Sequence, residues 1–445
     1  MPRRDLISID DLSSEEILEL FSHADGYRED LHAWSHVCRG QILAALFFEP
    51  STRTRLSFES AMLRLGGGVV TVPEGSSSSS AKGESLADTV RVVGGGYSDI
   101  VVVRHPQDGA ALVASQYATV PVINGGDGAH EHPTQTLCDL YTLWRERGRL
   151  EGLDVVLVGD LRYSRTIHSF AYALGRFRAN IITMPYPGFE MPKYVLERLH
   201  RDYGVSASSA SRVDLQDIVS GKDSAAAYLT ASRPHQQALF PDLKEHHIDH
   251  IDAIYMTRAQ RERHSGKSVE GYPRLSGESL SSAMFRDTKV IHPLPRLDEI
   301  DYELDSDPRA VYFQQAELGV PIRMALMASL LGKIELRARP PTVRERAKYA
   351  PGSRGFICRN ERCITNGEGH RYLLPEFLLL TDETPLLSCV YCGKVARPRI
   401  VGHGESKMFA PADSQWARQV ASGQEVFFAD EEQATVAGFA PVDSP

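Results

Sequence analysis

The chain has no apolar run long enough to cross a bilayer, which argues against a membrane-spanning helix. Its opening segment, Met1 to Leu20, lacks the apolar core of a secretory signal, so a cytoplasmic setting is expected. Positive charge is in short supply. Against 58 Asp and Glu stand 49 Lys and Arg, a formal net charge of -9. That balance argues against a nucleic-acid partner, which needs clustered cations, but leaves room for a local arginine cluster around a small anion. There is no internal repeat, and no G-x-G-x-x-G follows the strand-like Val155–Gly159, so no nicotinamide cofactor is expected. Cysteine is scarce, with six in 445 residues. Cys38 and Cys138 stand alone and read as small buried thiols.

What is present is a soluble-type composition on a chain long enough for two or three domains. Ser13 and Glu16 form a capping box ahead of an apolar face, predicting a helix over 13–25. Short apolar runs at Ile42–Phe48, Ile100–Val103, Val120–Ile123, Val155–Val158, Ile181–Met184, Ile251–Met256 and Lys289–Ile291 read as strands. Helical patterns alternate with them, as at Thr134–Glu146 and Ser164–Phe177. This alternation predicts an α/β protein with two parallel-sheet domains, whose ligands sit at the carboxyl ends of the strands. The expected organisation is a first domain over 1–150, a second over 151–315 and a closing helix at 316–335 that packs back on the first. A linker at 336–355, a small zinc-ribbon-like β domain at 356–400 and an acidic, aperiodic tail at 401–445 complete it.

Ser51-Thr52-Arg53-Thr54-Arg55 lies at a strand-to-helix junction. Free backbone N–H groups and the helix dipole favour an anion there, hydroxyls add donors, and arginine adds a planar fork suited to phosphate. An ordinary N-cap with exposed arginines is the plain alternative, but five consecutive donor side chains exceed what capping needs.

The segment F-x-E-P-S-T-R-T-R resembles the aspartate and ornithine carbamoyltransferases. The resemblance continues, in order, through Lys82-Gly83-Glu84, Arg104-His105-Pro106, His132-Pro133-Thr134-Gln135, Gly159-Asp160 with Arg165, Met256-Thr257-Arg258-Ala259-Gln260 and His292-Pro293-Leu294-Pro295-Arg296. It implies the carbamoyltransferase fold and a carbamoyl phosphate site. Ser51, Thr52, Arg53 and Thr54 would hold the phosphate, and Thr54, Arg104 and His132 would contact the carbonyl oxygen. Gln135 and the backbone carbonyls of Leu294 and Pro295 would hold the carbamoyl amino group. Arg165 and Arg258 would bind the acceptor's carboxylates, with Gln260 nearby. Ser78, on carbamoyl phosphate, and Lys82, catalytic and acceptor-binding, would reach across from a neighbouring subunit, making a homotrimer the minimal active form.

Elementary chemistry agrees with these implied roles. Attack of an amine on a carbamoyl carbon builds negative charge on the carbonyl oxygen, which fixed donors stabilise by about 3 kcal/mol each. Arg258, and a proline where the ornithine enzymes typically carry cysteine in the late motif, favour aspartate as acceptor. Another amino acceptor such as ornithine, or an inactive assembly scaffold, remains as an alternative. The stretch between Arg165 and Arg258 is longer than usual for the family, with extra material around 206–250.

Cys358-x4-Cys363 and Cys389-x2-Cys392 are two knuckles whose four thiolates suit a closed tetrahedral structural zinc, with no open position for catalysis. The segment from Cys358 to Asn366 resembles the zinc domain of the aspartate carbamoyltransferase regulatory chain. No separate nucleotide-binding domain fits between it and the catalytic region, so the zinc domain is expected to support assembly rather than nucleotide control. No cofactor is expected for catalysis.

Overall fold

The computed structural model describes residues 3–72, 83–209, 250–260, 272–281, 283–341, 348–350, 356–380, 385–421 and 423–442. Ser78 and Lys82, the serine run at 76–80 and nearly all of the extra material at 206–250 lie outside the described residues.

The first domain is a parallel sheet of β1 (Ile42–Phe47), β2 (Gly68–Val72), β3 (Ile100–His105) and β4 (Val122–Asp127), in the order β2-β1-β3-β4. Residues Leu43–Phe47 are all buried, as expected where helices cover both faces of a parallel sheet. Helices α2 (Thr52–Arg64), α3 (Leu86–Gly96) and α4 (Ala110–Tyr117) make the crossovers; α1 (Ser14–Glu29) precedes the sheet. Its Ser13–Glu16 capping box is present, and Glu16 is buried where it also meets Arg4. The chain leaves β1 toward β2 on one side and β3 toward β4 on the other. The crevice between β1 and β3 is therefore a topological switch point.

Helix α5 (Pro133–Arg147) carries the chain into the second sheet: β5 (Asp154–Gly159), β6 (Asn180–Pro185), β7 (Ser208–Ser209), β8 (Ala253–Met256) and β9 (Lys289–Ile291). Proline at the first helical position and left-handed Gly148 (φ 68°) after the last turn bound α5. The order β7-β6-β5-β8-β9, all parallel, puts a second switch point between β5 and β8. Helices α6 (Arg165–Arg176) and α7 (Lys193–Tyr203) pack beside it. Helix α8 (Tyr312–Leu330) returns from β9 and packs on α1, α2 and α5. It buries residues all round its middle, including Leu318, Ile322, Met324 and Leu326, so one apolar core runs through both domains.

Beyond α8, β10 (Lys348–Tyr349), β11 (Phe377–Leu380), β12 (Leu386–Cys389) and β13 (Val395–Ala396) form an antiparallel sheet around the four cysteines. The region read from the sequence as an aperiodic acidic tail is folded instead. Strands β14 (Ile400–His403), β15 (Met408–Pro411), β16 (Glu425–Phe428) and β17 (Ala440–Pro441), with helices α9 (Gln415–Gln419) and α10 (Glu431–Val436), make a further sheet. Its strands are too short to show a period, and its core rests on a few aromatics. Phe428 stacks edge-on against Phe439. Phe427 packs against Tyr349, whose hydroxyl accepts from the Phe427 N–H at 2.8 Å.

Phe427→Ala is expected to destabilise this C-terminal unit by about 3 kcal/mol or more, because it empties a fully buried aromatic position. A denaturant titration followed by Trp416 fluorescence measures it, and a loss under about 1 kcal/mol would show that the sheet does not depend on this contact.

Candidate active site

The two switch points face one cavity of about 1230 Å³. From the end of β1 it is lined by Glu49 and by Ser51, Thr52, Arg53 and Thr54 at the start of α2. Ser51 is the N-cap residue of α2, yet its hydroxyl makes no capping hydrogen bond. The hydroxyl is therefore not spent on capping, and Ser51 to Thr54 all line the cavity. Arg53 is pressed below its ordinary pKa by burial and by the neighbouring charge of Arg258, which comes from the other domain. Two guanidinium groups held this way are relieved by an anion between them.

Arg104, at the end of β3, donates from Nη1 to the Gly125 carbonyl at 3.2 Å and lies 3.5 Å from His132 Nε2. His132 caps α5 and is 4% exposed, so its ring is fixed between the helix start and Arg104. Gly126 has φ of +111°, and a Cβ there would meet both the Arg165 guanidinium and the His132 ring at 3.0 Å. Glycine is what lets these groups approach.

Arg165 opens α6, and Arg258 and Gln260 follow β8. Arg165 is 3% exposed and donates to Glu49 Oε2 at 2.8 Å and to the Gly128 carbonyl at 2.8 Å. The same Glu49 oxygen lies 3.6 Å from Arg104 Nη2, so one carboxylate ties an arginine of each domain. Asp160 stitches the β5 and β8 loops, accepting from the N–H groups of Arg162, Tyr163 and Gln260.

Gln135 donates from Nε2 to Asp139 Oδ1 at 2.7 Å. This bond orients its amide, and Gln135 lines the cavity. Asp139 is buried and also accepts from Gln315 at 2.5 Å and Tyr255 at 2.9 Å. Burial outweighs these donors and raises its pKa to about 7. Opposite, His292 accepts at Nδ1 from the Leu294 N–H at 2.8 Å and faces Glu299 through Nε2 at 2.9 Å. Burial lowers its pKa, against the pull of Glu299, which fits a neutral ring with its proton on Nε2. This fixes Leu294, which holds a left-handed φ of 51° ahead of a cis bond to Pro295. Both residues line the cavity.

The four C-terminal cysteines form a separate centre. Their sulfurs all lie within 4.8 Å of one another, with Cys358–Cys392 at 3.6 Å and Cys363–Cys389 at 3.8 Å. Four sulfurs about 2.3 Å from one ion at tetrahedral angles would be about 3.8 Å apart, so the set fits a closed metal site. Thr365 donates to Cys363 Sγ at 3.2 Å.

Residues 4–145 match the aspartate/ornithine carbamoyltransferase carbamoyl-P binding domain, and 151–330 match the Asp/Orn binding domain. The chain belongs to the aspartate/ornithine carbamoyltransferase family. Residues 353–401 match the metal-binding domain of the aspartate carbamoyltransferase regulatory chain. Over 335 residues the chain is 43% identical to the aspartate carbamoyltransferase catalytic subunit of Clostridium kluyveri, covering 74% of this chain and 98% of that one. It is 44% identical over 338 residues to that of Thermococcus onnurineus, covering 75% and 98%. Among solved structures it resembles the catalytic subunit of M. jannaschii aspartate transcarbamoylase (42% identity, TM-score 0.59, covering 74% and 98%). It also resembles the Trypanosoma cruzi aspartate transcarbamoylase bound to carbamoyl phosphate and aspartate (32% identity, TM-score 0.60, covering 73% and 96%).

Five residues in or directly behind this carbamoyltransferase cavity carry no role expected from the sequence. Glu49 sits inside the first motif, just ahead of its run of donor side chains. Asp139 is four residues after Gln135 on one helix face, a spacing that signals pairing. Arg323 is a lone cation in an apolar helix, and the structure buries it against Ser57. Glu361 and Arg362, from the cysteine module, also line the cavity, and nothing local in the sequence points there.

Because Asp139 holds its proton up to about pH 7 when folded but only to about 3.8 when unfolded, its contribution to stability is fully present below the lower value and fades as pH rises through the higher. Asp139→Asn is expected to flatten the fall in stability between pH 4 and 7. Parallel denaturant curves for the two proteins that keep the same slope against pH would refute this.

Proposed function

We propose that the chain transfers the carbamoyl group of carbamoyl phosphate to the amino group of L-aspartate, giving N-carbamoyl-L-aspartate and phosphate for pyrimidine synthesis. The observation that carries this reading is the meeting of cations from both switch points in one cavity. Arg53 and Arg104 enter from the first domain, and Arg165 and Arg258 from the second. That arrangement suits a phosphate on one side and the two carboxylates of the acceptor on the other.

In this reading Ser51, Thr52, Arg53 and Thr54 hold the phosphate. The aspartate amine attacks the carbamoyl carbon directly, and charge grows on the carbonyl oxygen facing Thr54, Arg104 and His132. The carbon–oxygen bond to phosphate then breaks, and the departing phosphate takes the amine proton. Gln135, its amide oriented by Asp139, accepts from the carbamoyl NH2 group together with the carbonyls of Leu294 and Pro295. Arg165 and Arg258 hold the acceptor, with Gln260 beside them. Placing both reactants in one site removes about 7 kcal/mol or more of entropic barrier.

A homotrimer with shared sites completes the reading. Ser78 and Lys82, from the neighbouring subunit, would join carbamoyl phosphate and aspartate respectively. Leu56 and Leu63, two turns apart on α2, and Val70 on the edge strand β2 are all exposed, which supports a partner against this side. The four-cysteine centre holds a structural zinc, and no cofactor takes part in the chemistry. Six free thiols, four of them gathered for a metal, support a cytoplasmic setting.

The purified chain is expected to form carbamoyl aspartate and to leave ornithine unmodified. Product from ornithine instead would overturn the acceptor assignment, and product from neither in a metal-loaded sample would favour a scaffold. Thr54→Ala is expected to lower kcat about a hundredfold with the fold intact, as read by steady-state kinetics.

A further inference from the structure

The cysteine module does not merely hang from the catalytic domains. Its first knuckle is annealed to the loop that follows Arg104. The Asp108 N–H donates to the Arg362 carbonyl at 2.9 Å, and the Ile364 N–H donates to the Asp108 carbonyl at 2.9 Å. The Asp108 side chain, 1% exposed, accepts from Asn360 Nδ2 at 2.7 Å and from the Ala129 N–H at 2.7 Å. Gly109 sits so close to the second knuckle that a Cβ would meet the Tyr391 carbonyl oxygen at 2.6 Å. One buried aspartate therefore joins a knuckle between two metal-ligating cysteines, Cys358 and Cys363, to the loops ahead of α4 and α5.

This seam gives the knuckle a place in the cavity. Glu361 and Arg362 form part of the wall that Arg104, Gln107 and Arg165 also line. We propose that Arg362 is a substrate-binding residue of this site, supplied in cis by the cysteine module, and that the metal-held conformation of the knuckle sets its position. Its ligand is an anionic oxygen, either on the phosphate of carbamoyl phosphate or on a carboxylate of aspartate. The inference rests on the carbamoyl-transfer reading of the cavity. It adds that the metal centre reaches the chemistry through the Arg362 side chain, with the knuckle anchored by the backbone bonds at Asp108 and Ile364.

The test compares Arg362→Met, which keeps the aliphatic stem and removes the charge, with Arg362→Lys, which keeps the charge. Arg362→Met is expected to raise the KM for one substrate about tenfold with metal content unchanged, while Arg362→Lys stays within about threefold of the unaltered chain. Whichever KM moves identifies the anionic group. Titration of both variants with N-(phosphonacetyl)-L-aspartate, which carries both anionic ends, reads the same contact without turnover and is expected to show weaker binding by Arg362→Met. Unchanged KM values together with unchanged affinity for this analogue overturn the proposal. So does an equal loss in both variants, which marks a packing role. If the unaltered chain makes no carbamoyl product, the functional reading fails, and the titration alone then decides whether Arg362 binds an anion in this cavity.

Discussion

Guanidinium groups gathered around one cavity repel each other, and much of this fold serves to hold them there without neutralising them. Arg53 and Arg258 approach from different domains, close enough for each to press on the other's charge. Glu49 is shared between Arg104 and Arg165, so one carboxylate serves two cations and the cavity wall keeps an excess of positive charge. Arg53, Arg104, Arg165 and Arg258 are each rooted where a strand ends or a helix begins. The two sheets present their switch points to each other, and α5 and α8 fix that meeting by running from one domain to the other. In the proposed reaction the anionic reactants supply the balancing charge.

A second set of groups is kept uncharged or is shielded so that the cavity's hydrogen bonds point one way. The neutral His292 ring accepts from the Leu294 N–H on one side while its other nitrogen meets Glu299. Asp139 gathers donors from α5, β8 and α8 around one buried carboxyl group. His292 lines the cavity, and Asp139 sits behind Gln135. Their hydrogen bonds fix the Gln135 amide and the Leu294 backbone.

Much of this could be read from residues alone. The apolar runs of β1, β3, β5 and β9 identify buried parallel strands, and the donor cluster at Ser51–Arg55 lies where the structure starts α2. Other elements were hidden for identifiable reasons. Helix α3 ends in Gly94-Gly95-Gly96, a sequence that argues against helix; Gly94 is there because Val120 lies where a side chain would go. The second half of β4, Asn124–Asp127, reads as a turn, and it is extended because Asn124 bonds both to the chain near Leu6 and Ile7 and to Asp127. Strands of two to four residues in the C-terminal sheet are shorter than any period that could reveal them. The seam at Asp108 joins residues far apart in the chain, and no local pattern carries that pairing.

The seam also has a consequence in mass action. Where a metal-binding module and a catalytic chain are separate molecules, their complex dissociates on dilution, and the fraction of sites that carry the module depends on the supply of both. Here the two are one polypeptide, so docking at Asp108 is unimolecular and independent of protein concentration. Each cavity is matched with one knuckle at synthesis, in a ratio that no imbalance of expression can change.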